Sequence, residues 1–400
     1  MNEIFARGMA TATRLTQAGK LAEATALIKS ILQGGDAKPD VSAAPPRRAK
    51  QPPEIEGTAN ELPSSEADGL VQLRPSATLG AKGSRQFVFK RAFAKPMFNR
   101  LRAGDAEIVP TDAPGAFIGG SFGNSAGQRS YKLYLPKKRQ EGSAPLIVML
   151  HGCTQSPDDF AAGTRMNVCA EEHGCFVVYP EQTSSANASK CWNWFNSAEQ
   201  QRGRGEPSII AGLTQELLKT YPIDPRRIYV AGLSAGGAAA AVLGETYPDI
   251  YAAVGVHSGL ACGAARDMPS AFIAMGGHGE TRSHEHSDAK TSVPTIVFHG
   301  NRDRTVHPRN GVDVIARANR SAKLQSLTEN GDMNGRSYTR SVHRDAAGKT
   351  VSEEWVIRDA GHAWSGGSSK GSFADDSGPD ASREMLRFFL EQSLASSGKE

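Results

Sequence analysis

The sequence predicts an α/β fold in which a mostly parallel sheet is covered by helices on both faces. From about residue 119 onward, short apolar runs alternate with helical stretches. The runs are continuously apolar, which is typical of strands buried on both faces of a parallel sheet. The predicted strands are 131–135, 145–150, 175–179, 227–231, 251–257, 294–299 and 354–357. The predicted helices are 166–173, 207–221, 235–247 and 381–394.

Three segments precede the predicted domain at 119–396. Residues 1–34 place apolar side chains at helical spacing, which indicates an amphipathic helical segment. Such a helix either forms a self-association surface or packs back on the main domain. Residues 35–84 are rich in Pro, Ala, Ser, Glu and Gly, as in a flexible, disordered linker, and 85–118 form a transitional segment.

Composition excludes several classes of protein. The chain has 400 residues, 39% of them hydrophobic, with 46 basic and 42 acidic side chains. This near balance of charge disfavours nucleic-acid binding. No run reaches the ~18 to 20 apolar residues that cross a bilayer, so the protein is not expected to span a membrane. The N-terminus lacks the features of a signal peptide, so we expect a cytoplasmic protein, with an extracellular one as the alternative.

The segment Gly232-Leu233-Ser234-Ala235-Gly236 follows a predicted strand and opens a predicted helix. This context is that of a nucleophile elbow, where a serine sits on a tight turn at the end of a sheet. Glycines flank it because a Cβ would collide with neighbouring backbone. The alternative is a Gly-rich helix start with a capping serine. We predict that Ser234 is a nucleophile and that the Ala235 N–H faces the developing oxyanion.

A serine nucleophile needs a base and an acid that orients the base, and in this fold class they follow it in the order acid, then His. Asp303 comes shortly after the strand ending at His299, and His362 comes just beyond the strand 354–357. Asp303 could instead form a turn or pair with a neighbouring arginine, and Asp359 is a rival acid. His257, His299 and His307 are rival bases.

The second oxyanion donor is expected in the loop His151-Gly152-Cys153-Thr154-Gln155, which follows an early strand. We predict the Cys153 N–H, with Thr154 second. Cys153 also forms a candidate disulfide with Cys191, because both lie in loops expected at the same edge of the sheet. The chain has five cysteines and no metal-type C-x-x-C pair.

Three tryptophans lie near these candidate residues. Trp192 and Trp194 share one loop, and Trp364 is two residues after His362. We predict that they form an apolar wall for a substrate, and the alternative is that they belong to the core. The loop 276–288 contains His278, His284 and His286, for which a solvated lid is favoured over a metal site.

Five separated motifs give the chain a resemblance to a known family: HGCTQSPDDFAAGTRMN at 151–167, CWNWF at 191–195, YVAGLSAGGAAAAVL at 229–243, HGNRD at 299–303 and GHAWSGG at 361–367. With them the chain resembles the poly(3-hydroxybutyrate) depolymerase family of esterases, which is related to feruloyl and acetyl-xylan esterases. The resemblance implies an α/β-hydrolase fold and hydrolysis of carboxylic esters by Ser234, Asp303 and His362, with no metal or organic cofactor.

The expected substrate is a polyhydroxyalkanoate, as polymer or oligomer. Alternatives are a feruloyl or acetyl-xylan type of esterase and a non-catalytic granule-associated protein that uses the N-terminal helix.

Overall fold

The computed structural model describes residues 112–138, 142–279, 292–320 and 323–395. The predictions for 1–34 and 35–84 therefore lie outside the described residues, as do those for most of 85–118 and of the loop 276–288. Within the described residues, the first strand, β1, begins at Ala116, so the expected domain start at 119 falls inside a strand.

Ten strands form one sheet in the order β1-β2-β4-β3-β5-β6-β7-β10-β9-β8. Neighbours are parallel among six of these strands, namely β4, β3, β5, β6, β7 and β10. The remaining pairs, at both ends of the sheet, are antiparallel. The strands are β1 Ala116–Asn124, β2 Gly127–Leu135, β3 Ala144–Leu150, β4 Phe176–Pro180, β5 Ile223–Leu233, β6 Ala253–His257, β7 Thr295–Gly300, β8 Gln325–Met333, β9 Arg336–Arg344 and β10 Thr350–Ile357. Two short strands, β11 Trp364–Ser365 and β12 Ala374–Asp375, pair separately.

Helices cover both faces of this sheet. They are α1 Pro157–Thr164, α2 Met166–His173, α3 Gly205–Thr220, α4 Ala235–Thr246, α5 Met268–Ile273, α6 Arg309–Ala318 and α7 Ala381–Leu390. One core cluster packs α3, α4 and α6 against one face, and a second packs α1, α2 and α7 against the other. Successive residues of β3 alternate between the two clusters, as the period of a strand requires. The predicted mostly parallel sheet with helices on both faces is thus confirmed.

All seven predicted strands and four predicted helices are present, with shifts at their ends. The last helix ends at Leu390 rather than at 394. The elements β1, α1, α5, α6 and the β8–β9 hairpin were not predicted from the sequence. The hairpin had a readable signal, since Asn334-Gly335 forms its turn with φ of 46° and 78°.

The topology brings the candidate residues to one edge of the sheet. The parallel strands β3, β5, β7 and β10 each run directly into a segment that carries one of them. Cys153 follows β3, Ser234 follows β5, Asp303 follows β7 and His362 follows β10. Because carboxyl ends of parallel strands share an edge, four distant stretches of the chain converge there.

Among the described residues, no helix combines the length and the apolar character needed to cross a membrane.

Candidate active site

The turn at Ser234 has the geometry of a nucleophile elbow. Ser234 has φ 58° and ψ −119°, a strained conformation for a residue with a side chain. Its N–H donates to the His257 carbonyl at 2.9 Å, and its carbonyl accepts the Ala238 N–H at 2.9 Å. These bonds tie the turn to β6 on one side and to α4 on the other.

The flanking glycines explain why this turn is feasible. A Cβ on Gly232 would lie 2.3 Å from the Gly236 carbonyl carbon, and one on Gly236 would lie 2.0 Å from the Leu150 oxygen. Both neighbours are backbone atoms, so neither could move aside cheaply. Close packing of α4 against β3 and β5 therefore requires glycine at both positions.

Asp303 and His362 are in direct contact. The Nδ1 atom of His362 lies 2.7 Å from Oδ2 of Asp303, whose side chain is fully buried. The other oxygen, Oδ1, accepts the N–H groups of Thr305 and Val306 at 2.8 and 2.9 Å. The carboxylate thus forms a turn and also bonds to the imidazole. Asp303 therefore has two of the roles considered from the sequence: it stabilises a turn and it contacts the candidate base.

The environment favours the ionised form of Asp303. Burial alone would raise the pKa of this carboxyl, but hydrogen bonds from the rings of His299 and His362 outweigh it. The resulting pKa lies well below the usual value for aspartate. The carboxylate is therefore ionised at neutral pH and can accept a hydrogen bond from the Nδ1–H of His362. In the neutral imidazole, the tautomer that makes this bond carries no proton on Nε2.

The rival residues occupy other positions. Asp359 is exposed and pairs with Arg302 at 2.7 Å. His307 is exposed, and its ring accepts the N–H of Arg309. His299 is buried, with Nε2 at 2.8 Å from the Val306 carbonyl and 3.4 Å from Asp303. His257 is buried beside the elbow.

The backbone N–H groups of the loop after β3 are the candidates for the second oxyanion donor. The Gly152 N–H donates to the side chain of Gln155 at 2.9 Å, and the Thr154 N–H donates to the Ser189 carbonyl at 2.7 Å. Within the described part of the chain, the N–H groups of Cys153 and Ala235 donate no hydrogen bond. The geometry therefore favours Cys153 over Thr154 as the second oxyanion donor.

A disulfide joins Cys153 to Cys191, as expected from the sequence. It ties the loop after β3 to the loop 191–195. The buried side chain of Glu206 holds the loop 191–195 in place, because it accepts the Asn193 N–H at 2.8 Å. Glu206 also forms an ion pair with Arg129 at 3.2 Å.

The tryptophans correct one expectation. Trp192 and Trp364 are 0% and 1% exposed, so neither offers surface to a substrate. The indole of Trp192 donates to the His151 carbonyl at 3.1 Å, and that of Trp364 donates to Ser382 at 3.1 Å. Both are buried residues that pack in the interior and support the loops that carry them. Trp194 is 7% exposed and packs edge to face on Phe195.

Similarity to known proteins identifies the family of this chain. The family model described as esterase PHB depolymerase matches residues 129–342, more than half of the chain. The chain belongs to this family. Poly(3-hydroxyalkanoate) depolymerase C of Paucimonas lemoignei is 31% identical over 251 residues, which are 60% of this chain and 60% of that protein. Poly(3-hydroxybutyrate) depolymerase of Ralstonia pickettii is 29% identical over 242 residues, 56% of this chain and 49% of that protein.

A solved structure supports the fold of this esterase PHB depolymerase family member. The acetyl xylan esterase from Aspergillus awamori superposes with a TM-score of 0.51 at 19% identity. The match covers 66% of this chain and 94% of that one, and it shows an α/β-hydrolase fold. The chain spans about half to three fifths of the length of the two depolymerases above.

Several polar residues that hold the site together in this family member were missed from the sequence. Gln155 donates to the Ser372 carbonyl at 2.9 Å while its oxygen accepts the Gly152 N–H. Gln182 bonds to both Glu206 and the Cys191 carbonyl. Each of these residues acts through a partner that is distant in sequence, so no local pattern marks it. Only the proximity of Gln155 to the His-Gly motif could have raised attention.

Proposed function

We propose that this protein is a serine esterase that cleaves carboxylic esters by a Ser234-His362-Asp303 triad. The observation that carries the proposal is the 2.7 Å contact between His362 Nδ1 and Asp303 Oδ2, on the sheet edge where the Ser234 turn ends β5. Besides holding its own turn, the buried carboxylate orients the imidazole that it contacts, on the sheet edge that also carries the strained serine. This is the arrangement that general-base activation of a hydroxyl requires.

In the first half of the reaction, Nε2 of His362 takes the proton of Ser234 as Oγ attacks the ester carbonyl carbon. The carbonyl π electrons move to the oxygen, which the N–H groups of Ala235 and Cys153 stabilise. The intermediate collapses when the alkoxide leaves with the proton from His362. The product of this half is an acyl-Ser234 enzyme and a free alcohol.

In the second half, water replaces the serine hydroxyl as the proton donor. His362 takes a proton from the water, which attacks the acyl carbon, and Ser234 leaves with the proton from His362. A carboxylic acid is released and the enzyme is restored. Asp303 stays ionised throughout and stabilises the imidazolium that forms twice per turnover.

For the substrate, we propose a polyhydroxyalkanoate, as amorphous polymer or soluble oligomer. The two depolymerases named above support this class. Acetylated or feruloylated polysaccharide is the second candidate, because acetylxylan esterase A of Aspergillus oryzae is 28% identical over 204 residues. Relative kcat/KM values on 3-hydroxybutyrate oligomers, acetylated xylan and feruloylated sugars would separate the two.

The test of the chemistry is Ser234→Ala with p-nitrophenyl butyrate as substrate. We expect turnover to fall to the buffer rate and labelling by a fluorophosphonate to disappear, with an unchanged melting temperature. Ser326→Ala, on the exposed outermost strand β8, is the control and should retain both. Full activity of Ser234→Ala would refute the esterase assignment, and absence of labelling in the unmodified protein would favour a non-catalytic binding role.

For location, the Cys153–Cys191 disulfide supports an oxidising compartment, hence the extracellular alternative. Cell fractionation with detection of the protein outside the cytoplasm tests this, and a protein found only in the cytoplasm with both thiols reduced would oppose it.

A further inference from the structure

We propose that His257 is a positioning residue that fixes the loop carrying His362 relative to the Ser234 turn. The inference rests on the proposed function, since it assigns a role within the same site. His257 is the last residue of β6, the strand between those that lead to Ser234 and to Asp303. It is fully buried, so it contacts no substrate.

The backbone of His257 fixes the nucleophile turn. Its carbonyl accepts the N–H of Ser234 at 2.9 Å. The following residue, Ser258, has φ 49° and donates its N–H to the Phe298 carbonyl at 2.9 Å. The end of β6 is therefore tied to the Ser234 turn and to β7 at the same point.

The imidazole of His257 fixes the other side of the site. Its Nε2 accepts the N–H of Ser365 at 3.0 Å, three residues beyond His362. The ring also stacks on Trp364, with centroids 5.0 Å apart, and on Phe298, with centroids 5.9 Å apart. One side chain thus contacts both the loop that carries His362 and the strand that leads to Asp303.

The charge state of the ring suits this bond. Burial lowers the pKa of His257 well below its usual value, and the nearby rings of His299 and His362 lower it further. The ring is therefore neutral, with Nε2 free to accept and Nδ1 placed 3.1 Å from the Ser258 hydroxyl as donor. A protonated ring would leave the Ser365 N–H without an acceptor.

A pair of amide substitutions isolates the Nε2 bond. In His257→Gln the amide oxygen reaches about as far as Nε2 and can accept the Ser365 N–H. In His257→Asn the amide is one bond shorter and reaches only toward Ser258. We expect kcat on p-nitrophenyl butyrate to fall ~10- to 100-fold in the Asn variant and to stay within about threefold in the Gln variant. KM should remain within about twofold in both, because His257 does not contact substrate.

Two further variants separate positioning from stability. His257→Phe keeps an aromatic ring between Trp364 and Phe298 but offers no acceptor, and its kcat should fall with that of the Asn variant. Val254→Ala, a buried position on the same strand, should lower the melting temperature while leaving kcat unchanged below it. Equal kcat values for the Gln and Asn variants would overturn the proposal, as would a Phe variant as active as the unmodified protein.

A spectroscopic measurement keeps this inference distinct from the esterase proposal. The proton between His362 Nδ1 and Asp303 should give a downfield NMR signal in the unmodified protein and in His257→Gln. We expect it to broaden or shift in His257→Asn, because the His362 loop loses its anchor. If no ester is hydrolysed but the signal follows this pattern, the proposed function fails and the role of His257 stands. An unchanged signal in His257→Asn would overturn the inference.

Discussion

At the scale of single residues, Asp303 combines two tasks, and this makes its replacement by asparagine informative. Oδ1 accepts two backbone N–H groups, so the amide oxygen of the substituted side chain would remain there and its NH₂ group would face His362. The NH₂ group would force Nδ1 of His362 to accept, leaving the proton on Nε2, where it cannot serve as a base. We expect kcat in Asp303→Asn to fall ~10³- to 10⁴-fold.

The measurement is steady-state hydrolysis of p-nitrophenyl butyrate at pH 7 to 8. Asp359→Asn provides the matched control, because Asp359 was the rival acid and lies exposed beside Arg302. Its kcat should not change. A larger loss in Asp359→Asn than in Asp303→Asn would reverse the assignment of the acid.

The low pKa of Asp303 also predicts a dependence of stability on pH. Its folded pKa is below the value of about 3.9 that aspartate has in an unfolded chain. Its contribution to the free energy of unfolding is therefore complete above that value and is lost as the pH falls through the folded pKa. We expect stability to decrease more steeply below pH ~4 in the unmodified protein than in Asp303→Asn.

Urea unfolding between pH 3 and 6 measures this slope. Ser326→Ala, the exposed and non-titrating control on β8, should keep the slope of the unmodified protein. An Asp303→Asn variant with an unchanged slope would contradict the predicted linkage.

Residues with local signatures were predictable from the sequence, and residues that act across the fold were not. Ser234 lies in a fixed glycine pattern, and His362 and Asp303 follow strands in a known order. His257 offered no such signature, since its partners are Ser234 and Ser365, which only the sheet brings together. Burial of Trp192 and Trp364 likewise depends on partners that are distant in sequence: His151 for Trp192, and Phe160 and Ser382 for Trp364.

At the scale of elements, the Cys153–Cys191 disulfide connects the loop after β3 to the loop 191–195. The two cysteines are 38 residues apart, so closing this loop restricts the unfolded chain by about 4 kcal/mol in the loop-entropy model. The same bond fixes the backbone of Cys153, the proposed oxyanion donor. We expect Cys153→Ser/Cys191→Ser to lower the melting temperature and to reduce kcat about tenfold, since the donor is displaced rather than removed.

Reduction provides the internal control for this prediction. Dithiothreitol should lower the activity of the unmodified protein and leave that of the double variant unchanged. Alkylation of denatured, unreduced protein should label only the three free cysteines, Cys169, Cys175 and Cys262. Labelling of all five, or equal activity with and without the disulfide, would argue against the positioning role of this bond.

Strand prediction depended on burial. The central strands β3, β4, β6 and β7, and β5 from Ile228 onward, are buried throughout and were recognised, whereas β8 is exposed along almost its whole length and polar in sequence. Because β8 buries almost none of its side chains, no apolar face reveals it in the sequence, and only its turn residues carry a signal. The Asn334-Gly335 turn was that signal.

At the scale of the whole molecule, a buried carboxylate joins strands β9 and β10, near one end of the sheet, to the last helix, α7. Glu353 on β10 is 1% exposed and accepts from Arg340 of β9 at 3.0 Å and from Arg387 of α7 at 2.7 Å. Arg340 also lies over the ring of Trp355, 5.2 Å from its centroid. The contacts among β9, β10 and α7 therefore depend on one negative charge.

We expect Glu353→Gln to lower the free energy of unfolding by about 2 to 3 kcal/mol, because two partly buried guanidinium groups lose their shared anion. Both arginines retain some contact with solvent, which keeps the loss below that of a fully enclosed pair. Glu329→Gln is a matched control, since Glu329 binds the same Arg340 at 2.9 Å from an exposed position. That change should cost less than about 0.5 kcal/mol. Urea unfolding at pH 7 measures both, and equal losses would mean that burial does not determine the strength of these ion pairs.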